Sequence, residues 1–157
     1  MNNVKVGYLV SYDYEFLKIS LPRVYDYVAE IFFAVDINRV TWSGKPFKID
    51  SQFWIWLKEF DRENKITVYE DHFYIPELTP MECDTRERNL LSKKMGKADW
   101  YVQIDSDEYF VDFSSFINKL YECNPNVPTS IYCSVATLFK KAESGYFLIS
   151  DSLETLS

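Results

Sequence analysis

Trp100-Tyr101-Val102-Gln103-Ile104-Asp105-Ser106-Asp107-Glu108 decides how this chain reads. Trp100 to Ile104 has the length and the aromatic and branched side chains of a buried strand. Acids crowd its end. Immediately upstream, Asp84 or Thr85 is placed to cap a helix that runs to about Met95, and Gly96 stops it. A helix, then an apolar strand, then polar residues is one repeat of an α/β fold.

The same repeat is found upstream. Val4 to Val10 reads as a first strand. Leu17, Leu21, Val24 and Val28 fall on one helix face, interrupted by Pro22, which kinks or splits the helix. Glu30 to Asp36 carries Ile31-Phe32-Phe33-Ala34-Val35, a strand buried on both faces and ending in an acid. Asn38 to Asp50 is a loop, and Asp50 or Ser51 caps a helix with Phe53, Leu57 and Phe60 along one side. Lys65 to Glu70 is a third strand, and Tyr74 to Cys83, with Pro76 and Pro80, is irregular. After the fourth strand, Asp112 to Tyr121 reads as a helix closed by a turn at Asn124-Pro125-Asn126. Ile131 to Phe139 reads as a fifth strand, with Tyr132, Cys133 and Ser134 in the core, and Tyr146 to Ile149 as a sixth. Alternating strands and helices predict one three-layer α/β/α domain over residues 1–157, Rossmann-like, with a mostly parallel central sheet.

In such sheets ligands bind beyond the carboxyl ends of the strands. Those ends hold Ser11-Tyr12-Asp13, Asp36, Glu70-Asp71 and Asp105-Ser106-Asp107-Glu108. An Asp-x-Asp pair is weak evidence alone, since the 12 Asp of this chain supply about 0.9 such pairs by chance. Its place at a strand end gives it weight. In an extended segment Asp105 and Asp107 point to one side. Carboxylates so close repel unless a proton or cation intervenes. Hard oxygen donors suit Mn²⁺ or Mg²⁺, with phosphate completing the shell. Arg86, Arg88 and Asn89 stand nearby in sequence, and Arg offers planar contacts to phosphate or a base edge. The competing expectation, stronger for Arg86, is surface pairing with Glu82 and Glu87.

Bulk properties narrow the function. A net charge of −7 disfavours nonspecific nucleic-acid binding and anionic membrane surfaces. No run of 18 apolar residues is present, so no membrane span is expected. Met1 to Val6 enters a strand-like stretch without a signal-peptide core, and the expectation is a cytoplasmic protein. Cys83, Cys123 and Cys133 have neither zinc spacing nor an even count, which fits reduced thiols. His72 is the single histidine and reads as a surface residue. There is no G-x-G-x-x-G and no P-loop.

Arg88-Asn89-Leu90-Leu91, followed by Met95-Gly96-Lys97-Ala98-Asp99 and the strand to Glu108, resembles the family-2 glycosyltransferases and their relatives of the GT-A fold. Leu21-Pro22 through Val35-Asp36 is similar to their second-strand region. The resemblance covers roughly residues 4–113 and implies a UDP-sugar donor, a divalent cation and a saccharide acceptor, commonly in surface-glycan synthesis. It implies that Ser11, Asp36, Arg88 and Asp105 bind the nucleotide-sugar, with Asp36 on the uridine part. It implies that Asp107, with Asp105 directly or through water, holds the metal. Two departures stand out. Ile37-Asn38-Arg39 follows Asp36 in place of the frequent Asp-Gly-Ser, and little sequence follows Glu108. The chain therefore reads as the family's N-terminal nucleotide-sugar-binding portion, lacking the acceptor-binding half. No catalytic base is assigned among the late acids Asp112, Glu122, Glu143, Asp151 and Glu154. An incomplete sheet edge predicts self-association. The alternative is a binding module that transfers no sugar.

Overall fold

Val4–Leu9 (β1) is buried along its whole length, as an almost unbroken apolar run requires. The computed structural model describes residues 3–124, 127–143 and 145–149. In it β1 lies inside a four-stranded sheet with Glu30–Asp36 (β2), Ile66–Asp71 (β3) and Trp100–Asp105 (β4). The order is β3-β2-β1-β4, and every pairing is parallel. Four helices accompany the strands: Leu17–Val24 (α1), Ser51–Phe60 (α2), Pro80–Met95 (α3) and Phe113–Glu122 (α4).

The period of two in each strand sorts the side chains into two cores. Val4, Val6 and Tyr8 of β1 and Ile31, Phe33 and Val35 of β2 face one way. They pack with Leu17 and Leu21 of α1, Phe53 and Leu57 of α2, and Ile117 and Leu120 of α4. Leu9, Phe32 and Ala34 face the other way, against Leu91 and Met95 of α3. The three-layer α/β architecture is thus present, with three helices on one face and α3 on the other.

Gly7 sets how closely α3 approaches. A Cβ at Gly7 would lie 2.7 Å from Leu91 Cδ2 and 3.1 Å from Met95 Sδ. Beside it, the Lys5 ammonium donates to the Met95 carbonyl at 2.8 Å and pairs with Glu30 at 2.8 Å. That places a cation at the negative end of the helix dipole.

Three elements differ from the sequence reading. First, α3 begins earlier than Asp84, in the stretch expected to be irregular. Thr79 is its N-cap, Pro80 fills the first turn, and Thr79 and Glu82 form a reciprocal capping box. Second, the helix around Pro22 is short: α1 ends at Val24, and single 3-10 turns flank it at Tyr14–Phe16 and Tyr25–Tyr27. Third, no fifth strand spans Ile131 to Phe139. Residues 131–136 carry no regular structure, Cys133 is exposed, and Tyr132 is 93% exposed rather than core. Thr137–Ala142 (β5) and Gly145–Ile149 (β6) pair antiparallel with each other. Only two residues join them, and parallel neighbours need a far longer crossover.

The chain divides into two compact units, Met1–Pro125 and Asn126–Ser157. The α/β fold expected over 1–157 is contained in the first, and the β5–β6 hairpin belongs to the second. Pro125, Asn126, Asp151 and Glu154 lie outside the described residues. Among the described residues, no helix is long and apolar enough to cross a membrane.

Gly7→Ala should lower stability by about 1–3 kcal/mol, because the added methyl overpacks the seam between β1 and α3. Urea unfolding measures this, and an unchanged midpoint would contradict the tight seating of α3.

Candidate functional site

The strand order creates a switch point. From β1 the chain crosses one face to β2, while β4 on the other side of β1 is reached through α3 on the opposite face. Parallel sheets open a ligand crevice at such a point. A cavity of about 610 Å³ lies there. Ser11, Tyr12 and Asp13 line it from the end of β1, and Asp105, Ser106 and Asp107 from the end of β4. Asp36 of β2, Glu87 of α3 and the loop holding Trp42 and Lys45 complete its walls. A hollow of about 380 Å³ follows the outer surface of α3 from Met81 to Lys93, and no strand end contributes to it.

The Asp-x-Asp is not extended. β4 stops at Asp105, and a turn follows in which the Glu108 N–H donates to the Asp105 carbonyl at 3.0 Å. Asp105 and Asp107 are therefore not alternate residues of one extended strand. Asp105 is committed to Arg88, whose Nη2 donates to Oδ1 at 2.8 Å, while Arg88 Nε holds Asp84 at 2.6 Å. Burial works against the charge on Arg88, but the carboxylates of Asp105 and Asp84 outweigh it and hold the guanidinium protonated. Asp107 is exposed, and its carboxylate makes no hydrogen bond or ion pair with another described residue. Partial desolvation raises its pKa first, and the like charges of Asp13 and Asp105 raise it further.

Asp13 therefore joins the pair that the sequence reading assigned to the metal. Its Oδ1 accepts from Ser106 Oγ at 2.5 Å and from Ser11 Oγ at 3.0 Å. Ser106 is buried, so the middle residue of the Asp-x-Asp ties the β4 turn to the β1 loop. Ser11 orients Asp13 from the cavity wall. Two repelling oxygen donors, Asp13 and Asp107, suit a hard divalent cation whose remaining positions go to phosphate and water. Among the described residues, no group of three or more His, Cys, Asp or Glu is placed as a metal cage. A cation here would thus draw most of its shell from ligand and solvent.

Asp36 sits in the cavity wall, but its lone pairs are taken. It is 5% exposed. Oδ1 accepts from the N–H groups of Asn38 at 2.9 Å and Val40 at 3.3 Å. Oδ2 accepts from those of Phe73 and Tyr74, both at 3.0 Å. Four donors fill the four acceptor positions of a carboxylate. Asp36 positions two loops, and its side chain has no acceptor left for a uridine.

The loop after Asp36 folds back as a small hairpin, with a bridge between Val40 and Pro46 and a Thr41 N–H donating to the Lys45 carbonyl at 2.8 Å. Gly44 has φ +77° at its tip, where a Cβ would also lie 2.8 Å from the Tyr74 hydroxyl. This hairpin brings Trp42 to α3, where its indole N–H donates to Glu87 Oε2 at 2.5 Å. Glu87 is 5% exposed. Burial pushes its pKa up to about 8; the Trp42 bond and Arg88 oppose this, while Asp36 and Asp84 add to it. Lys45 lines the same cavity and makes no ion pair with another described residue.

Glu87, Trp42 and Lys45 escaped sequence reading because none of them is itself part of a motif. Glu87 was expected as a surface partner of Arg86; instead Arg86 donates to the His72 carbonyl at 2.6 Å and Glu82 serves the helix cap. The isolation of Glu87 from polar neighbours on the inner face of α3, with Cys83 and Leu91 one turn away on either side, was the available signal. His72 is exposed, its Nδ1 3.3 Å from the Asn38 amide. Among the late acids, Asp112 caps α4 and Glu122 pairs with Lys119.

No protein-family model, curated protein or solved structure matches the chain.

Two outcomes are expected. Asp36→Asn replaces half the acceptors with donors facing backbone N–H groups, and should destabilise the fold by about 2 kcal/mol or more in urea unfolding. Glu87 holds its proton to about pH 8 when folded, against 4.5 ordinarily. In that window the folded chain binds the extra proton, so this contribution is complete below about pH 4.5 and is lost as pH rises through about 8. Glu87→Gln, neutral throughout, should flatten the decline measured by unfolding across that range.

Proposed function

We propose that this chain binds a nucleotide-sugar, a UDP-sugar in the first instance, together with Mn²⁺ or Mg²⁺, and serves sugar transfer to a saccharide or other hydroxyl acceptor. One observation carries the reading: the cavity at the switch point between β1 and β4 sets two uncompensated carboxylates, Asp13 and Asp107, on its rim. The resemblance of Arg88 to Glu108 to family-2 glycosyltransferases supports it.

Asp13 and Asp107 would hold the cation. A bound divalent cation would supply the charge that steadies a departing diphosphate. Arg88 keeps Asp105 oriented, leaving Asp105 to meet a ribose hydroxyl or a metal-bound water. Lys45 adds a positive charge on the cavity wall for a phosphate oxygen. Tyr12, 70% exposed at the rim, offers an aromatic face to a base or sugar ring.

A second reading, donor binding without transfer, is favoured by the placement of the cavity. Its lining comes wholly from Met1–Pro125, and the two described acids late in that unit are occupied in capping α4 and pairing with Lys119.

Titration calorimetry with UDP should show binding that depends on Mn²⁺ and that weakens about tenfold or more in Asp107→Ala, the loss of a charged ligand interaction. A folded sample that takes up no UDP with Mn²⁺ present would overturn the proposal. Hydrolysis of a UDP-sugar by the wild type, absent in Asp107→Ala, separates the enzyme from the binding module.

A further inference from the structure

Glu87 is a buried acid that donor binding leaves without a task. It lines the cavity from α3, yet only 5% of it is exposed. An indole N–H donates and never accepts, so the Trp42 bond fixes Oε2 of Glu87 as an acceptor. The proton of a neutral carboxyl then sits on Oε1. Oε1 has no partner among the described residues, and no fully buried side-chain oxygen among them lacks one. Oε1 is therefore not fully enclosed, and the cavity is what Glu87 lines.

The charges around Glu87 decide its form. Asp36 faces it from the end of β2, and Asp84 and Arg88 lie on its own helix. Arg88 is held by Asp84 and Asp105. Ionised, Glu87 would be a buried anion beside Asp36 with no cation of its own, which is costly. Burial first, then Asp36 and Asp84, keep its proton to about pH 8 against the opposing pull of the Trp42 bond and Arg88. The same carboxylates would repel an anionic ligand group. Asp36 is saturated by four backbone N–H groups, so of the two buried acids in the lining only Glu87 has a polar atom to spare, a single O–H.

We propose that Glu87, oriented by Trp42, is the specificity residue of the inner cavity wall and donates its O–H to a carbonyl-type oxygen on an uncharged, planar part of the ligand. This rests on the nucleotide-sugar reading, under which that part is the nucleobase rather than the diphosphate. Asp36 acts beneath it by shaping the loops.

UDP binding with Mn²⁺, followed by calorimetry from about pH 7 to about pH 9, tests this. Wild-type affinity should fall about tenfold as pH passes the Glu87 midpoint, the worth of one hydrogen bond of about 1.4 kcal/mol. Glu87→Gln keeps an acceptor for Trp42 and an N–H donor for the ligand. It should bind within about threefold of the wild type near pH 7 and show no such fall. Glu87→Leu should bind about tenfold more weakly at every pH; if it does not fold, Glu87→Gln carries the test. A carbon-13 carboxyl titration of the ligand-free chain should place the Glu87 midpoint near 8. A midpoint in the ordinary carboxylate range, or a Glu87→Gln pH profile like the wild type's, would overturn the assignment while leaving donor binding intact. Wild-type protein that binds no UDP would overturn the nucleotide-sugar reading and the ligand assigned here together, even with the carboxyl midpoint near 8.

Discussion

The Asp36 carboxylate, closed around four backbone N–H groups, is the constraint on which the cavity depends. It ends β2, and its two oxygens hold the chain at Asn38 and Val40 on one side and at Phe73 and Tyr74 on the other. Buried polar groups must be paired, so neither loop can leave without stranding donors or the acid. The first loop then rises as a hairpin that carries Trp42 to Glu87, and the second leads into the capped start of α3. One side chain thereby joins the β2 edge to the wall that faces β1 and β4.

Charge is distributed unevenly across this edge. Asp105 is neutralised by Arg88, Asp36 is solvated by backbone amides, and Glu87 keeps a proton. Asp13 and Asp107 remain as like charges that repel each other. Five nearby acids thus adopt four different electrostatic roles, although a sequence shows only that acids gather. The rim carries like negative charges, while the inner wall carries a neutral carboxyl. Such polarity matches a ligand with one charged and one uncharged end.

The second unit marks where alternation stopped being a guide. Ile131 to Phe139 is apolar enough for a strand, but a strand needs a partner. The nearest one follows two residues after Ala142 and pairs antiparallel. The Thr79-Pro80-Met81-Glu82 cap, by contrast, is local, since Thr79 and Glu82 bond within their own helix end; Pro80, a breaker inside a helix, is at home in a first turn.

Sequence by itself determined the strands of the sheet, their parallel order of repeats and the acidic carboxyl edge. These depend on local periodicity and on short connections, which neighbouring residues specify. Tertiary structure alone decided which acids are free. Asp36 looked like a ligand and proved to be a staple for loops, because its donors come from residues 38, 40, 73 and 74 at once. Asp13 was one of several strand-end acids and Glu87 looked like a surface residue; both line the cavity, where they meet Ser106 and Trp42 across 93 and 45 residues of chain. The environment of a carboxyl is set by whatever folding brings against it, and those partners are distant in sequence.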